Sequence, residues 1–339
     1  MNDPHPSWLR HARTVWTGSA SAALLVSAFA MIVAAPAAGA ATASTCTIAP
    51  LSAPTQTTSV TSTRITGTDG PDIILCPLGV YEGTTVEGLG GNDTITVTSN
   101  ILSRYRDLAA ANSGTIDGGP GDDLVTAEDV RITSGATGNG DQSTMLGGPG
   151  NDTITASAHT ASGIGNKGTM AGDDGNDTLT AIGGNTGNRA RMHGGAGHDS
   201  ITADGTRIGT KGTITGGPGN DHVLAVSAAG KGVEGLNSGG IDGGDGDDII
   251  TADGFTAGSD GAVLDGEAGN DNVSASAHGP GGVGISVGRL DGGDGNDVLT
   301  AVGVPDGTSA SGTLDGDTGT DTCTVLIDNS GTVRNCELP

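Results

Sequence analysis

One short motif returns eleven times along this chain, and every copy contains a loop aspartate at the same place. The copy at residues 290–301 reads Leu-Asp-Gly-Gly-Asp-Gly-Asn-Asp-Val-Leu-Thr-Ala. Successive loop aspartates are 21 to 30 residues apart. They are Asp72, Asp93, Asp123, Asp152, Asp177, Asp199, Asp221, Asp248, Asp271, Asp297 and Asp321. A motif that recurs with this spacing predicts a solenoid of stacked coils.

Residues at fixed offsets from each loop aspartate share one character. An apolar residue stands seven positions before it and another two positions after it, as Leu290 and Leu299 do around Asp297. A small residue, mostly alanine, stands four positions after it, and Thr or Ser is common in between. Alternation with period two is typical of strands with one buried face. We therefore predict an all-β fold, a parallel β-roll or β-solenoid of about eleven rungs. Each rung would contain a strand, a glycine-rich turn, a second strand and a variable return.

The turn has a composition that suits a hard cation. Glycine stands two and five positions before the aspartate in all eleven copies. Glycine adopts positive φ at little cost, so a tight turn can present backbone carbonyls and a carboxylate together. Ca²⁺ takes six to eight oxygen ligands of this kind. Turns stacked at ~4.8 Å could share an ion between neighbours.

The turns resemble the Gly-Gly-x-Gly-x-Asp-x-apolar-x nonapeptides of the haemolysin-type (RTX) calcium-binding repeat proteins. Six copies match in full, and the other five carry Thr68, Leu89, Asp173, Glu267 or Asp317 in place of the second glycine. The resemblance covers residues 63–325 and implies Ca²⁺ sites built from the aspartate column and the turn carbonyls. The turn glycines that it implies include Gly118, Gly119, Gly121, Gly147, Gly148, Gly150, Gly216, Gly217, Gly219, Gly243, Gly244, Gly246, Gly292, Gly293 and Gly295.

The spacing and the charge refine this expectation. The family packs its nonapeptides back to back, whereas this chain has one motif per roughly 25 residues. Metal turns are therefore expected on one edge only. The net charge is −25, and stacked carboxylates repel each other without a counter-ion. We expect several Ca²⁺ ions, up to about ten, with folding coupled to their binding. The acidity argues against nucleic acid as a partner.

The ends of the chain differ from the repeats. Residues 1–40 have a basic start, an apolar run over 20–35 and a small-residue tail at 38–40, which indicates a secretory signal peptide. An uncleaved anchor is the alternative. A Thr/Ser/Pro-rich lead-in follows at 41–62, the β-roll repeats occupy 63–325, and 326–339 form a C-terminal cap. The mature chain is expected to be secreted, with no membrane span.

Four cysteines, Cys46, Cys76, Cys323 and Cys336, allow three disulfide pairings. Cys76 and Cys323 occupy inward strand positions of the first and last repeats. We expect Cys46–Cys76 and Cys323–Cys336, each of which would hold a terminal segment over an open end of the stack, because solenoids need caps. Export to an oxidising compartment permits such bonds.

No catalytic constellation accompanies the repeats. Residues 284–288 fit a nucleophile elbow, and residues 163–168 fit a dinucleotide-binding pattern, but neither is followed by a helical pattern. Residues 163–168 are expected to form a return loop. Five histidines follow the signal, and solvated surface is the expected role of each, including His198, which stands beside a loop aspartate. We expect no enzyme activity.

The expected role is structural or adhesive, with a partner at the cell surface or in the matrix. Thr-x-Thr pairs on an outward face leave an ice-binding solenoid as an alternative. Return loops such as 98–113 leave a glycan- or partner-binding module open. A hydrolase with its site in the return loops is a further alternative.

Overall fold

A computed structural model describes residues 43–52, 57–99, 110–131, 135–227, 240–254, 256–258, 262–277, 283–285, 288–303, 312–326 and 331–337. All regular structure in these residues is β-strand, and successive repeats stack as the coils of a parallel β-solenoid. The predicted fold class is thereby confirmed. These residues contain no helix that is long and apolar enough to cross a bilayer. The predicted signal peptide lies outside them.

The strands that follow the loop aspartates form one sheet, called here the downstream sheet. From the third strand in its spatial order onward, every neighbouring pair is parallel. In spatial order the sheet contains β2 (Thr58–Ser62), β1 (Ser44–Pro50), β4 (Asp72–Cys76), β6 (Thr94–Thr98), β8 (Leu124–Asp129), β11 (Thr153–Ala158), β14 (Thr178–Gly183), β17 (Ser200–Gly205), β20 (His222–Ser227), β22 (Ile249–Gly254), β25 (Asn272–Ala277), β28 (Val298–Val302) and β30 (Thr322–Leu326).

The strands that precede or enter the glycine turns form a second parallel sheet, called the upstream sheet. Its twelve strands, in order, are β3 (Arg64–Thr66), β5 (Thr85–Glu87), β7 (Thr115–Asp117), β10 (Thr144–Leu146), β13 (Thr169–Asp174), β16 (Arg191–Ala196), β19 (Thr213–Pro218), β21 (Gly240–Asp245), β24 (Val263–Ala268), β27 (Arg289–Gly295), β29 (Thr313–Gly319) and β31 (Thr332–Arg334).

Part of the return side is regular, which the sequence did not indicate. A third parallel sheet contains β9 (Thr137–Asn139), β12 (Ile164–Asn166), β15 (Thr186–Asn188) and β18 (Ile208–Thr210), and two further strands pair as β23 (Thr256–Gly258) and β26 (Val283–Ile285). The expectation that residues 163–168 form a loop was therefore wrong. A buried ladder of amides explains the order: Asn112, Asn139 and Asn166 each donate through Nδ2 to the side-chain oxygen of the next asparagine, at 2.8–2.9 Å.

A thin apolar stack fills the space between the upstream and downstream sheets. Strand alternation turns every second side chain inward, so that Ile154 and Ala156 are fully buried while Thr155 between them is not. The upstream sheet contributes one fully buried residue per coil, such as Met170 or Ile214. This alternation agrees with the predicted period of two.

Both ends of the stack are closed by terminal segments. The lead-in contains β1 and β2, and β1 pairs antiparallel with the first repeat strand, β4. At the other end β31 continues the upstream sheet, and Glu337 bridges to Thr322. Cys46–Cys76 and Cys323–Cys336 are bonded, so the predicted pairing is confirmed. Because the first and last repeats belong to these caps, the stack has about nine full turns instead of eleven.

Candidate metal centre

The structure brings all eleven loop aspartates into one column, and it buries them. Their exposed fractions range from 0 to 3%. The glycine turns produce this placement, since residues four and two positions before the aspartate have positive φ, as Gly119 (94°) and Gly121 (148°) do before Asp123. The turn reverses so tightly that the carboxylate lies inside it. The side chain therefore points into the solenoid and away from solvent.

One oxygen of each carboxylate is used by the fold. The backbone N–H of Asp152 donates to Oδ1 of Asp177, 2.7 Å away on the next coil. The same bond, at 2.7–2.9 Å, links every successive pair from Asp72 to Asp321. At the last coil the N–H of Asp321 donates to Oε2 of Glu337, so the C-terminal cap supplies the missing acceptor. The ladder therefore runs through the whole stack.

The second oxygen of the carboxylate has no hydrogen-bond donor. Among the described residues, Oδ2 is buried and unpartnered in nine consecutive loop aspartates: Asp93, Asp123, Asp152, Asp177, Asp199, Asp221, Asp248, Asp271 and Asp297. In Asp72 the unpartnered atom is Oδ1, because Oδ2 accepts from the N–H and the hydroxyl of Thr68. Leaving a buried acceptor unsatisfied is costly, more so if it is charged.

The glycine five positions before each aspartate creates the space that this oxygen faces. A Cβ on Gly172 would come within 3.0 Å of both Oδ2 of Asp177 and the carbonyl oxygen of Gly194 on the next coil. The same two kinds of oxygen flank the Cα of eight glycines: Gly67, Gly88, Gly118, Gly172, Gly194, Gly216, Gly243 and Gly266. Where Oδ2 has no donor, a proton or a cation beside it would satisfy it.

Burial also makes these carboxyl groups hard to ionise without a counter-ion. Desolvation, assisted by the charges of neighbouring loop aspartates, raises the pKa of Asp93, Asp152 and Asp248 to about 7. The pKa values of Asp123, Asp177, Asp199 and Asp271 rise to about 6, again mainly because of burial. Desolvation raises the pKa of Asp221 and Asp297 as well. At neutral pH the metal-free column is therefore under electrostatic strain.

The donor set of the column is one carboxylate oxygen per coil plus backbone carbonyls. In the part of the chain that the structure describes, no three His, Cys, Asp or Glu side chains converge on one point. A zinc site, which needs several side-chain ligands, therefore has no candidate among these residues. An all-oxygen set of carboxylate and carbonyl atoms fits Ca²⁺ in chemical type. Loop aspartates would supply Oδ2, and turn glycines such as Gly118, Gly147, Gly216, Gly243 and Gly292 would supply carbonyls.

Four of the five turns that lack the second glycine keep the turn conformation; Thr68, in the first turn, does not have positive φ. Leu89, Asp173, Glu267 and Asp317 stand at that position with φ of 81°, 77°, 69° and 64°, in the left-handed region that glycine prefers. The backbone of these copies therefore still follows the glycine geometry, at a cost in strain. Their loop aspartates are buried like the others.

A second ladder runs beside the first on the exposed side of the turn, and sequence reasoning missed it. From Asn92 to Asn296, the residue before the loop aspartate accepts the N–H of its counterpart one coil on, as Asn151 accepts from Asn176 at 2.9 Å. His198 takes part: its Nδ1 accepts the N–H of Asn220 at 2.8 Å. His198 is exposed, as expected, but it has this structural role in addition. The recurrence of Asn or Asp at this column was the available signal.

No protein-family model matches the chain, and no curated protein is significantly similar to it in sequence. The likeness to the haemolysin-type repeats therefore depends on the motif and on the solenoid that the motif builds. What the structure itself establishes is a β-solenoid repeat protein with a buried, regularly spaced column of half-satisfied aspartates.

Proposed function

We propose that this chain is a secreted, calcium-binding β-roll protein of the haemolysin-type repeat class, with a structural or adhesive role outside the cell. The observation that carries the proposal is the row of nine buried carboxylate oxygens without a donor. Each faces a glycine Cα, and at most coils a carbonyl oxygen of the next coil lies beside it. A cation in this column would satisfy both atoms.

The charge of the molecule favours divalent ions over monovalent ions or protons. The chain carries −25, and the loop aspartates repeat at the coil spacing of ~4.8 Å. Ca²⁺ accepts carbonyl ligands and irregular geometry, whereas Mg²⁺ demands a near-ideal octahedron and gives up its waters reluctantly. Ca²⁺ is therefore the expected ion. The resident ion supplies no reaction here: it would join neighbouring coils and neutralise their charge.

Calcium binding and folding should be linked. The column exists only when residues 21 to 30 positions apart are stacked, so an unfolded chain offers no such site. A stack of coupled sites is expected to bind cooperatively, because each coil contacts only its neighbours.

The test is a calorimetric Ca²⁺ titration of the metal-stripped chain from residue 41, followed in parallel by far-UV circular dichroism. We expect several ions to bind cooperatively while strand content rises. Asp177→Asn should remove binding capacity, whereas Asp174→Asn, an exposed acid of the same turn, should not. A chain that takes up no Ca²⁺ above background at neutral pH would refute the proposal.

One observation favours a second candidate, the ice-binding solenoid. Thr96, Thr126, Thr155, Thr180 and Thr202 lie in register on five neighbouring strands of the downstream sheet. The adjacent outward row is not regular, since it contains exposed Leu124, Ile249 and Val298. This candidate therefore ranks second. Thermal hysteresis of the folded chain would support it, and unchanged ice growth would dispose of it.

A further inference from the structure

The outer face of the upstream sheet carries charge in separate patches. One row of residues, joined by strand register, crosses all twelve strands. In order it is Thr66, Glu87, Asp117, Leu146, Ala171, His193, Thr215, Asp242, Asp265, Asp291, Asp315 and Arg334. We call it the register row. Its middle is basic or neutral, and acidic residues lie to either side.

The basic patch contains no ion pair among the described residues, although His193 acts electrostatically on Asp199 and Asp242. Arg191 on β16 is exposed. His193, which belongs to the register row, lies two residues later on the same strand. Neither forms an ion pair with any residue that the structure describes. Arg189 and Lys211, both exposed, lie close to this patch. Among the described residues, none of these four side chains forms an ion pair, although the chain carries a net charge of −25.

The acidic patch on the next strands is equally unsatisfied. Asp242 and Asp265 are register neighbours on β21 and β24, and Glu267 follows on β24. Oδ1 of Asp242 is buried without a donor, and no described cation pairs with Asp242 or Asp265. Asp291 and Asp315 share Arg289, at 2.7 and 3.1 Å, but Oδ1 of Asp291 is likewise buried without a partner among the described residues.

A second copy of the chain explains both patches together. We propose that two copies associate through their upstream sheets, with solenoid axes antiparallel and the two-fold axis between β19 and β21. Each basic patch then faces the acidic patch of the partner, as an isologous interface requires.

Under this symmetry two of the five facing pairs in the register row bring opposite charges together. A two-fold axis between the seventh and eighth strands places the sixth strand against the ninth and the third against the twelfth. His193 of one copy then faces Asp265 of the other, and Asp117 faces Arg334. The overlap covers ten strands spaced ~4.8 Å apart, and each strand has up to about six residues that rise ~3.3 Å each. The sheet area that each copy contributes is therefore roughly 800–950 Å², which is the size of a standard interface.

The experiment measures the mass of the calcium-loaded chain by sedimentation equilibrium at low and high salt. We expect a dimer that dissociates as salt screens the charges. The variants R191E/H193E and D242K/D265K should each be monomeric, with the dissociation constant raised at least about tenfold. An equimolar mixture of the two variants should form dimers again. In the mixture, the acidic patches of R191E/H193E meet the basic patches of D242K/D265K.

The control is T206E/R207E, which makes the same change of charge at exposed positions beside the third sheet. It should remain dimeric. A monomeric wild type, or a mixture of the two variants that stays monomeric, would overturn the proposal. Binding of a monomeric wild type to the sulfated polysaccharide heparin, lost in R191E/H193E, would also overturn it and identify a polyanion site instead. Calcium titration of each variant separates this outcome from a failure of the calcium proposal.

Discussion

The backbone N–H of Asp152 donates to Oδ1 of Asp177 at 2.7 Å, and Oδ2 of the same carboxylate has no donor among the described residues. The two residues are 25 positions apart in sequence and one coil apart in space. One oxygen therefore joins neighbouring coils, while the other is left for a proton or a cation. Four predictions follow from this division and from the turn that creates it.

Asp177→Asn should have opposite effects with and without calcium. Asparagine keeps the Oδ1 acceptor of the Asp152 N–H and places an N–H₂ donor where Oδ2 now faces the Gly194 carbonyl. Because a buried charge is removed, the metal-free chain should gain about 1–3 kcal/mol. The calcium-loaded chain should lose a site. Urea unfolding in chelator and in Ca²⁺ measures both effects. A metal-free chain that is destabilised by the change would contradict this account of Oδ2.

The stability of the metal-free chain should fall as pH rises. Burial raises the pKa of Asp93, Asp152 and Asp248 to about 7 from 3.8. The folded chain therefore binds more protons than the unfolded chain between about pH 4 and pH 7, so its stability is highest at the acid end and is lost through pH 7. Calcium affinity should rise over the same range. Denaturation in chelator across this pH range is the measurement, and a stability that increases with pH would count against it.

Gly172→Ala should destabilise the fold by about 1–3 kcal/mol, because a Cβ there collides with Oδ2 of Asp177 and with the Gly194 carbonyl. It should also weaken calcium binding. Gly70→Ala is the matched control, since nothing lies within 4 Å of a Cβ at Gly70. Thermal unfolding of both variants with Ca²⁺ present tests the difference. Equal melting temperatures would mean that the space beside Gly172 is not needed.

Leu89→Gly should stabilise the chain by about 1 kcal/mol. Leu89 has a φ of 81°, which is strained for a branched side chain, and its counterparts in six other turns are glycines. Ala196→Gly, at a turn position without positive φ, should instead cost about 0.5–1 kcal/mol. Urea unfolding in Ca²⁺ distinguishes relief of strain from a general effect of glycine. A loss of stability in Leu89→Gly would show that the leucine side chain contributes more than the strain costs.

Much of the architecture could be predicted from residue columns alone. Side chains alternate between the two faces of a strand, so the sequence pattern predicts that Ile154, Ala156 and their counterparts face inward. Cys76 and Cys323 stand at the same inward positions in the terminal repeats. The third sheet could not be foreseen, because Asn139 and Asn166 read as ordinary loop residues until stacking places them side by side. The same is true of His198, whose acceptor role depends on Asn220 one coil away.

The sequence by itself determined that similar units stack, which residues face inward, and that eleven aspartates and their turn glycines share one column, although it predicted eleven rungs where the structure has about nine turns. It did so because a strand has a strict period of two and a tight turn needs glycine at set positions. Only the tertiary structure decided that these aspartates are buried, that Oδ1 is committed to the neighbouring coil and that Oδ2 is not. Those outcomes depend on atoms that are 21 to 30 residues apart, and no local pattern specifies which oxygen receives the donor.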